Sequence, residues 1–159
     1  MIHITFVQTP IGKIGLSAEN GFLVRVFFDI SGLPEQWLRD DTDPVLVEAR
    51  RQLTAYFSGN LKEFDLPLAA GVSDFAASVL RETARIPYGE TASYGEIASR
   101  IGRPSANRAV GGALHKNPLP IVVPCHRVIA ANGRLNGYAY GPDLKKMLLR
   151  LEKHFAEKS

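Results

Sequence analysis

Near the start of the chain, apolar and polar positions fall into three short strand-like runs, residues 2–8, 13–17 and 22–28. A period of two sends successive side chains to opposite faces of a strand. The runs are separated by Thr9-Pro10-Ile11-Gly12 and Glu19-Asn20-Gly21. Both are turn-forming, so the pattern predicts an antiparallel meander. The spacing then lengthens: Val47, Ala49, Leu53 and Phe57 follow Pro44, which suits a first helical turn, and Ser58-Gly59-Asn60 suits the end. A small sheet with one helix is the simplest N-terminal unit. Residues 66–72, with Pro67 and Gly71, lack helical spacing, which places a domain boundary there: residues 1–72 as an α/β domain and 73–159 as a second domain.

The second half reads as helices and loops. A helix is expected over residues 74–85, then a turn at Pro87-Tyr88-Gly89-Glu90. Ser93 and Glu96 have the spacing of a capping box, in which each side chain satisfies a backbone N–H at a helix start. That helix should stop at Gly102-Arg103-Pro104, because proline disfavours helical geometry in the residue before it. Ser105 is expected to cap a second helix over residues 106–116, ended by Asn117-Pro118. Two short helices about four residues apart form a helix-turn-helix pattern. Gly111 and Gly112 inside the second helix each cost about 1 kcal/mol relative to alanine, which implies that a packed helix or a nucleic-acid strand approaches that backbone. Residues 121–124 are an apolar run, expected as a buried strand that delivers Cys125, His126 and Arg127; Val128-Ile129 and a turn at Asn132-Gly133 follow. The last helix begins near Pro142, with Leu144, Met147, Leu148, Leu151 and Phe155 as its apolar stripe and Glu152 bordering the buried face.

Composition narrows the class. With 159 residues, 45% hydrophobic and 22% charged, the chain suits one large or two small folded domains rather than a disordered segment. Its apolar runs fall far short of the roughly 18–20 residues that span a bilayer. The first residues carry no export pattern, so no membrane association and a cytoplasmic location are expected. Net charge is only +3, but residues 1–72 carry −3 and residues 73–159 carry +6. No acidic side chain lies between Glu96 and Asp143. Such a stretch suits a polyanion, and equally a solvated basic face.

Cys125 is the only cysteine, which excludes an intramolecular disulfide, a paired redox motif and a multi-thiolate zinc site; no metal or other cofactor is expected. A thiol with its ordinary pKa near 8.5 is only a few per cent thiolate at neutral pH, so a nucleophilic Cys125 needs a base or a positive environment. His126 is adjacent, but neighbours on a strand point to opposite faces, so a bridging water would have to connect them. Glu152 could orient the imidazole in a Glu, His, water and Cys series. Spacing alone fits a packing histidine and a solvated glutamate just as well.

Residues 117–129, Asn-Pro-Leu-Pro-Ile-Val-Val-Pro-Cys-His-Arg-Val-Ile, resemble the active-site signature of O6-alkylguanine-DNA alkyltransferases, and Pro-Cys-His-Arg is its specific core. The resemblance extends to Ile86-Pro87-Tyr88-Gly89-Glu90, Ser93-Tyr94-Gly95-Glu96-Ile97-Ala98, Arg108-Ala109-Val110-Gly111, Gly137-Tyr138 and the region of Glu152. It covers residues 73–153 strongly and the N-terminal part loosely. The resemblance implies an α+β protein: a ribonuclease-H-like N-terminal domain, with a small antiparallel sheet and a helix, and a C-terminal winged helix-turn-helix-like domain. It implies single-turnover repair, in which the alkyl group of O6-alkylguanine moves irreversibly to the protein's own cysteine. The partner is duplex DNA, entered from the minor groove with the modified base flipped out. The protein is expected to act as a monomer, with clustering on DNA left open.

The same resemblance assigns roles. Cys125 accepts the alkyl group, His126 is its base through water and Glu152 holds His126. Tyr94 serves the departing guanine and rotates the nucleotide, and Asn117 braces the turn before the cysteine. Arg108 fills the vacated stack, with Ala109, Gly111, Ser93 and Arg103 at the DNA. Pro120 and Tyr138 line the alkyl pocket, the Val128 carbonyl meets the guanine amino group and the Ala139 N–H meets O6. The chain departs from the family's Tyr-Ser-Gly-Gly or Tyr-Gly-Gly-Gly with Tyr138-Ala139-Tyr140-Gly141, so Tyr140 adds bulk beside the pocket. Met147 and Leu80 stand where tryptophan is common, both apolar changes. Two other classes fit parts of the pattern: a helix-turn-helix module without chemistry leaves Pro-Cys-His-Arg idle, and a cysteine hydrolase would turn over repeatedly.

Overall fold

A computed structural model describes residues 1–135 and 137–158. The chain divides into two compact units, Met1–Gly71 and Val72–Ser159.

In the first unit, the alternating runs form β1 (His3–Thr9), β2 (Gly12–Glu19) and β3 (Phe22–Phe27), successive antiparallel neighbours. A short β4 (Leu38–Arg39) adds to the other side of β1 in parallel, giving the order β3-β2-β1-β4. Helix α1 (Pro44–Phe57) starts where Asp43 accepts from the N–H groups of Val45 and Leu46, two of the donors a helix start leaves unpaired. It packs on the sheet through Leu46, Ala49, Leu53 and Tyr56, all fully buried. Each large apolar side chain so buried stabilises the unit by roughly 1.5–3 kcal/mol. The Phe27 ring fills the space a Cβ at Gly15 would need, which accounts for glycine in the middle of β2. Buried Gln52 ties down the segment that follows α1, donating to the Asp65 carbonyl and accepting from the Asp65 N–H, both at 2.9 Å.

The second unit is mainly helical. Ser73 caps α2 (Asp74–Ala84), and α3 (Tyr94–Arg100) opens with the complete capping box of Ser93 and Glu96. Helix α4 (Asn107–His115) follows, and α5 (Pro142–Glu157) closes the unit. Two-residue strands β5 (Ala92–Ser93) and β6 (Val128–Ile129) pair in parallel and bring the start of α3 beside the segment after Cys125.

Four expectations are corrected here. Ser105 does not cap α4: the cap position is Ala106, without a side-chain hydrogen bond, and residues 101–106 separate the two helices. Among the described residues nothing lies within 4 Å of a Cβ built at Gly112, while one at Gly111 would be 3.9 Å from the Tyr94 ring, so a packed helix does not account for Gly112. Residues 121–124 are buried but not a strand: Ile121 takes the left-handed φ of 72°, and the run turns into a single 3-10 turn, Cys125–Arg127. Met147 is 48% exposed, because the most buried line of α5 is Lys145, Leu148 and Glu152, rotated away from it.

Candidate active site

The site is built on the irregular segment between α4 and β6. Asn117, fully enclosed, donates from Nδ2 to the Val123 carbonyl at 3.1 Å and accepts the Leu119 N–H at 2.9 Å. Further backbone bonds, Val123 N–H to Leu119 O and Cys125 N–H to Val123 O, fold the apolar run into a compact coil. A β-branched residue in the left-handed region costs on the order of 1–3 kcal/mol and persists only where packing over-determines it. Ile121 is 1% exposed, so its packing holds that conformation. The coil ends in the 3-10 turn, which presents Cys125, His126 and Arg127, all buried.

Below this turn lies a hydrogen-bonded charged cluster. Glu152, on α5, is completely buried and not merely at a helix border. Its Oε2 meets His126 Nε2 at 2.6 Å and accepts from Arg127 Nη2 at 3.0 Å. Its Oε1 accepts from Arg127 Nε at 2.8 Å and from the Gly89 N–H at 3.3 Å. Arg127 donates in addition to the Ile86 carbonyl at 2.7 Å. Gly89 has a φ of 81°, and a Cβ there would come within 3.0 Å of Ala156, so the turn that offers this N–H requires glycine. Burial alone would raise the Glu152 carboxyl, but its bonds and charge pairing with His126 and Arg127 outweigh that and hold it down to about 2.

An ionised carboxylate only accepts, so His126 Nε2 carries the hydrogen and Nδ1 carries the lone pair. That Nδ1 is buried and has no hydrogen-bond partner among the described residues. Burial lowers the His126 pKa, with Arg127 and Lys145 acting the same way against Glu152. At neutral pH the imidazole is therefore neutral, with an open basic nitrogen one residue from the thiol.

Cys125 is 4% exposed, and burial raises its pKa; the polar Asn117 and Tyr138 side chains and the charge of Lys145 pull it back. Lys145, 1% exposed on α5, donates to the Val128 carbonyl at 2.5 Å and lies 5.9 and 5.8 Å from the ring centres of Tyr94 and Tyr138. Burial lowers its pKa, and Cys125 opposes that shift. The Tyr94 and Tyr138 hydroxyls are both raised, first by burial and then by the charge of Cys125.

Tyr94 also lines a cavity of about 620 Å³ with Ser93, Arg108, Gly111, His115 and Gly137. The structure thus brings together most of the residues named from the sequence. Cys125, His126, Glu152 and Asn117 form one buried group; Tyr138, Tyr140 and Pro120 lie in the segments around it; Ser93, Tyr94, Arg108 and Gly111 share the cavity. Ala109 lines a separate depression with Phe75, and Arg103 stacks over Phe75 at 5.6 Å, so neither is at that cavity. Ala139 is half-buried in the loop before α5, and the Val128 carbonyl is already bonded to Lys145.

Two site residues escaped the sequence reading. Arg127 carries no assigned role in the sequence, although it lies inside the Pro-Cys-His-Arg motif. Lys145 shares a helix face with Leu148 and Glu152 at offsets of three and seven, a spacing that marks a buried lysine. Elsewhere, His3, Asp40 and Asp43 place three ligand-type atoms within 4.8 Å of one another among the described residues, and Asp43 is also the α1 cap.

The fold and site define a helix-turn-helix protein with a buried cysteine set beside a histidine–carboxylate pair. Residues 74–154 match the DNA-binding domain of 6-O-methylguanine DNA methyltransferase, and residues 2–70 match the ribonuclease-like domain of the same proteins. A methylated-DNA–protein-cysteine methyltransferase of Methanosarcina acetivorans is 47% identical, over 95% of this chain and 98% of its own. A solved structure of Mycobacterium tuberculosis OGT in complex with DNA is 43% identical, with a TM-score of 0.88 over 96% of this chain and 94% of that one. O6-methylguanine-DNA methyltransferase from Pyrococcus kodakaraensis is 25% identical over 96% of this chain, with a TM-score of 0.63. This chain belongs to the 6-O-methylguanine DNA methyltransferase family.

Proposed function

We propose that this chain is a methylated-DNA–protein-cysteine methyltransferase that repairs O6-alkylguanine in duplex DNA by one irreversible transfer to Cys125. The observation that carries the mechanism is the unpartnered Nδ1 of His126, whose other nitrogen is fixed on Glu152 next to a buried thiol. Through one bridging water, Nδ1 takes the thiol proton. The thiolate then attacks the alkyl carbon in line, the S–C bond forms, and the C–O6 bond breaks with its electron pair leaving on guanine. Tyr94 supplies the hydrogen bond or proton that the departing guanine needs, and the proton held on His126 restores the balance. Free thiol and alkylguanine become thioether and guanine, with no cofactor consumed. Because burial raises the thiol pKa, the positive charge of Lys145 offsets part of the cost of forming the thiolate in this enclosed setting.

The modified base must leave the stack to reach a thiol this enclosed, at a cost of a few kcal/mol. Arg108, exposed on the second residue of α4 and at the cavity, fills the gap in the duplex from the minor-groove side. The chain binds DNA as a monomer. Mixing with one equivalent of duplex carrying O6-methylguanine should add one methyl mass to Cys125 and then stop, and Cys125→Ala should show no gain. An intact alkylguanine after excess protein would remove the assignment, and repeated turnover would point to hydrolysis instead.

A further inference from the structure

Strand β1 pairs with β2 along its whole length, but on its other side only His3 and Ile4 have strand partners, Leu38 and Arg39 of β4. The N–H groups of Leu38 and Asp40 bond to the carbonyls of Ile2 and Ile4. Backbone groups of a strand alternate in direction from one residue to the next, so the even-numbered residues of β1 face this edge. Phe6 and Gln8 therefore present their N–H and C=O groups along it, and neither has a backbone partner there among the described residues. Helix α1 runs beside the open edge. Its residues Val47, Arg50, Arg51 and Thr54, spaced as one helical stripe, form a groove of about 500 Å³ with Phe6, Val7 and Gln8.

The groove joins apolar surface to positive charge. Val47 is 46% exposed, and Lys13 and Arg39 lie 5.0 and 5.1 Å from the centre of the Phe6 ring. The acidic groups nearby are already engaged: Glu48 accepts from Arg51 and Gln52, and Asp41, whose charge also acts on Arg50, accepts from Thr5 and Arg39. Arg50 differs from its neighbours. It is half-buried and its Nε is shielded from water, with no hydrogen-bond partner among the described residues. A donor in that position has given up solvent without gaining an acceptor, which a ligand in the groove would supply.

We propose that the open edge of β1 is a docking site for an extended, acidic segment of a partner protein, which adds to the sheet as a further strand along residues 6–8 and sets a carboxylate against Arg50. Main-chain bonds to Phe6 and Gln8 give the pairing, and the cations select the charge on alternate side chains of the added strand. A second copy of this chain is the poorer occupant, because pairing two β1 edges would bring Arg50 and Arg51 of both copies together. Charges at an open edge also serve to keep strands apart. A guarding charge of that kind extends into water, whereas the Nε of Arg50 is withdrawn from it.

The test uses the full chain and a short fluorescent peptide of alternating valine and glutamate, with the same peptide carrying lysine for glutamate as its control. Anisotropy gives the affinities, and hydrogen exchange gives the protection of single amides. The glutamate peptide should bind at least about 10-fold tighter than the lysine peptide, Arg50→Gln should weaken it about 10-fold, and Arg50→Glu should reverse the preference. On the natural protein, the peptide should slow exchange at Phe6 and Gln8 and leave Thr5 and Val7, whose amides face β2, unchanged; this readout stands whatever the stability of the variants. No binding of the glutamate peptide, binding that leaves the Phe6 and Gln8 amides unprotected, or binding indifferent to Arg50→Gln overturns the proposal. So does an equally tight, Arg50-dependent complex with a single-stranded oligonucleotide, which would make the groove a nucleic-acid site. Protection of the same amides by protein concentration alone would make it a contact between copies and overturn the proposal as well.

Discussion

The two units place their charges differently. In the first, the core is apolar and charge pairs such as Arg51–Glu48 sit at the surface, where solvent screens them. In the second, Glu152, His126 and Arg127 are bonded to one another inside the unit, and Lys145 is buried on the same helix face as Glu152. Taking such charges out of water costs several kcal/mol per ion, and well-packed apolar residues of similar volume would often be neutral or better. A cluster of this kind is weak evidence of stability. It fits a unit that holds chemistry, with the first unit free to follow the ordinary hydrophobic pattern.

The largest expected effect breaks the buried cluster. Glu152→Ala leaves Arg127 charged and without its main partner, which should cost about 3–5 kcal/mol in urea denaturation. Alkyl transfer should fall by about 100-fold or more, since the imidazole loses both its orientation and its tautomer. Retention of a normal rate would show that Glu152 serves only packing. Acid comes next. The Glu152 carboxyl is held at about 2, below its ordinary 4.5, so its contribution is fully present above pH 4.5 and is lost as pH falls through 2. His126, whose pKa is lowered by burial, adds a loss in the same direction as pH falls below 6.5. Together they should remove about 3 kcal/mol or more between pH 7 and pH 2. A urea midpoint with the same acid dependence in Glu152→Gln as in the natural protein would contradict this origin.

The first unit should answer to different changes. Gln52→Ala leaves the Asp65 N–H and carbonyl without their side-chain partner and should cost about 1–3 kcal/mol. The alkylation rate of the folded protein should be unaltered, which a stopped-flow assay below the unfolding range checks. The smallest effect belongs to Glu48. Its pKa is lowered to about 2 by hydrogen bonds from Arg51 and Gln52, yet it is exposed to solvent. Glu48→Gln should leave the melting temperature within error, and a large drop would mean that surface pairs matter here more than the buried cluster suggests.

Much of this architecture was legible in the chain. Alternation marked β1 to β3, Pro44 and the Ser93–Glu96 spacing marked two helix starts, and Pro-Cys-His-Arg marked the segment on which the site is built. The misreadings have local causes that a residue pattern does not distinguish. Ser105 has the right chemistry for a cap, but the cap position falls one residue later, at Ala106. Apolar residues 121–124 look like a strand because burial and strand formation leave the same signature. What makes them a coil is Asn117, whose side chain bonds take the place of a ladder.

The sequence by itself determined most of the local elements and the place of the one cysteine in its motif, because periodicity, capping and side-chain chemistry act over a few residues. Only the tertiary structure decided that Glu152 and Lys145 are interior rather than solvated, that Arg127 belongs to the cluster, and that Tyr140 reaches Asn117. Those facts depend on where α5 and its preceding loop pack against the 3-10 turn. Burial in that packing also shifts the pKa values of Cys125, His126 and Lys145 away from their ordinary values.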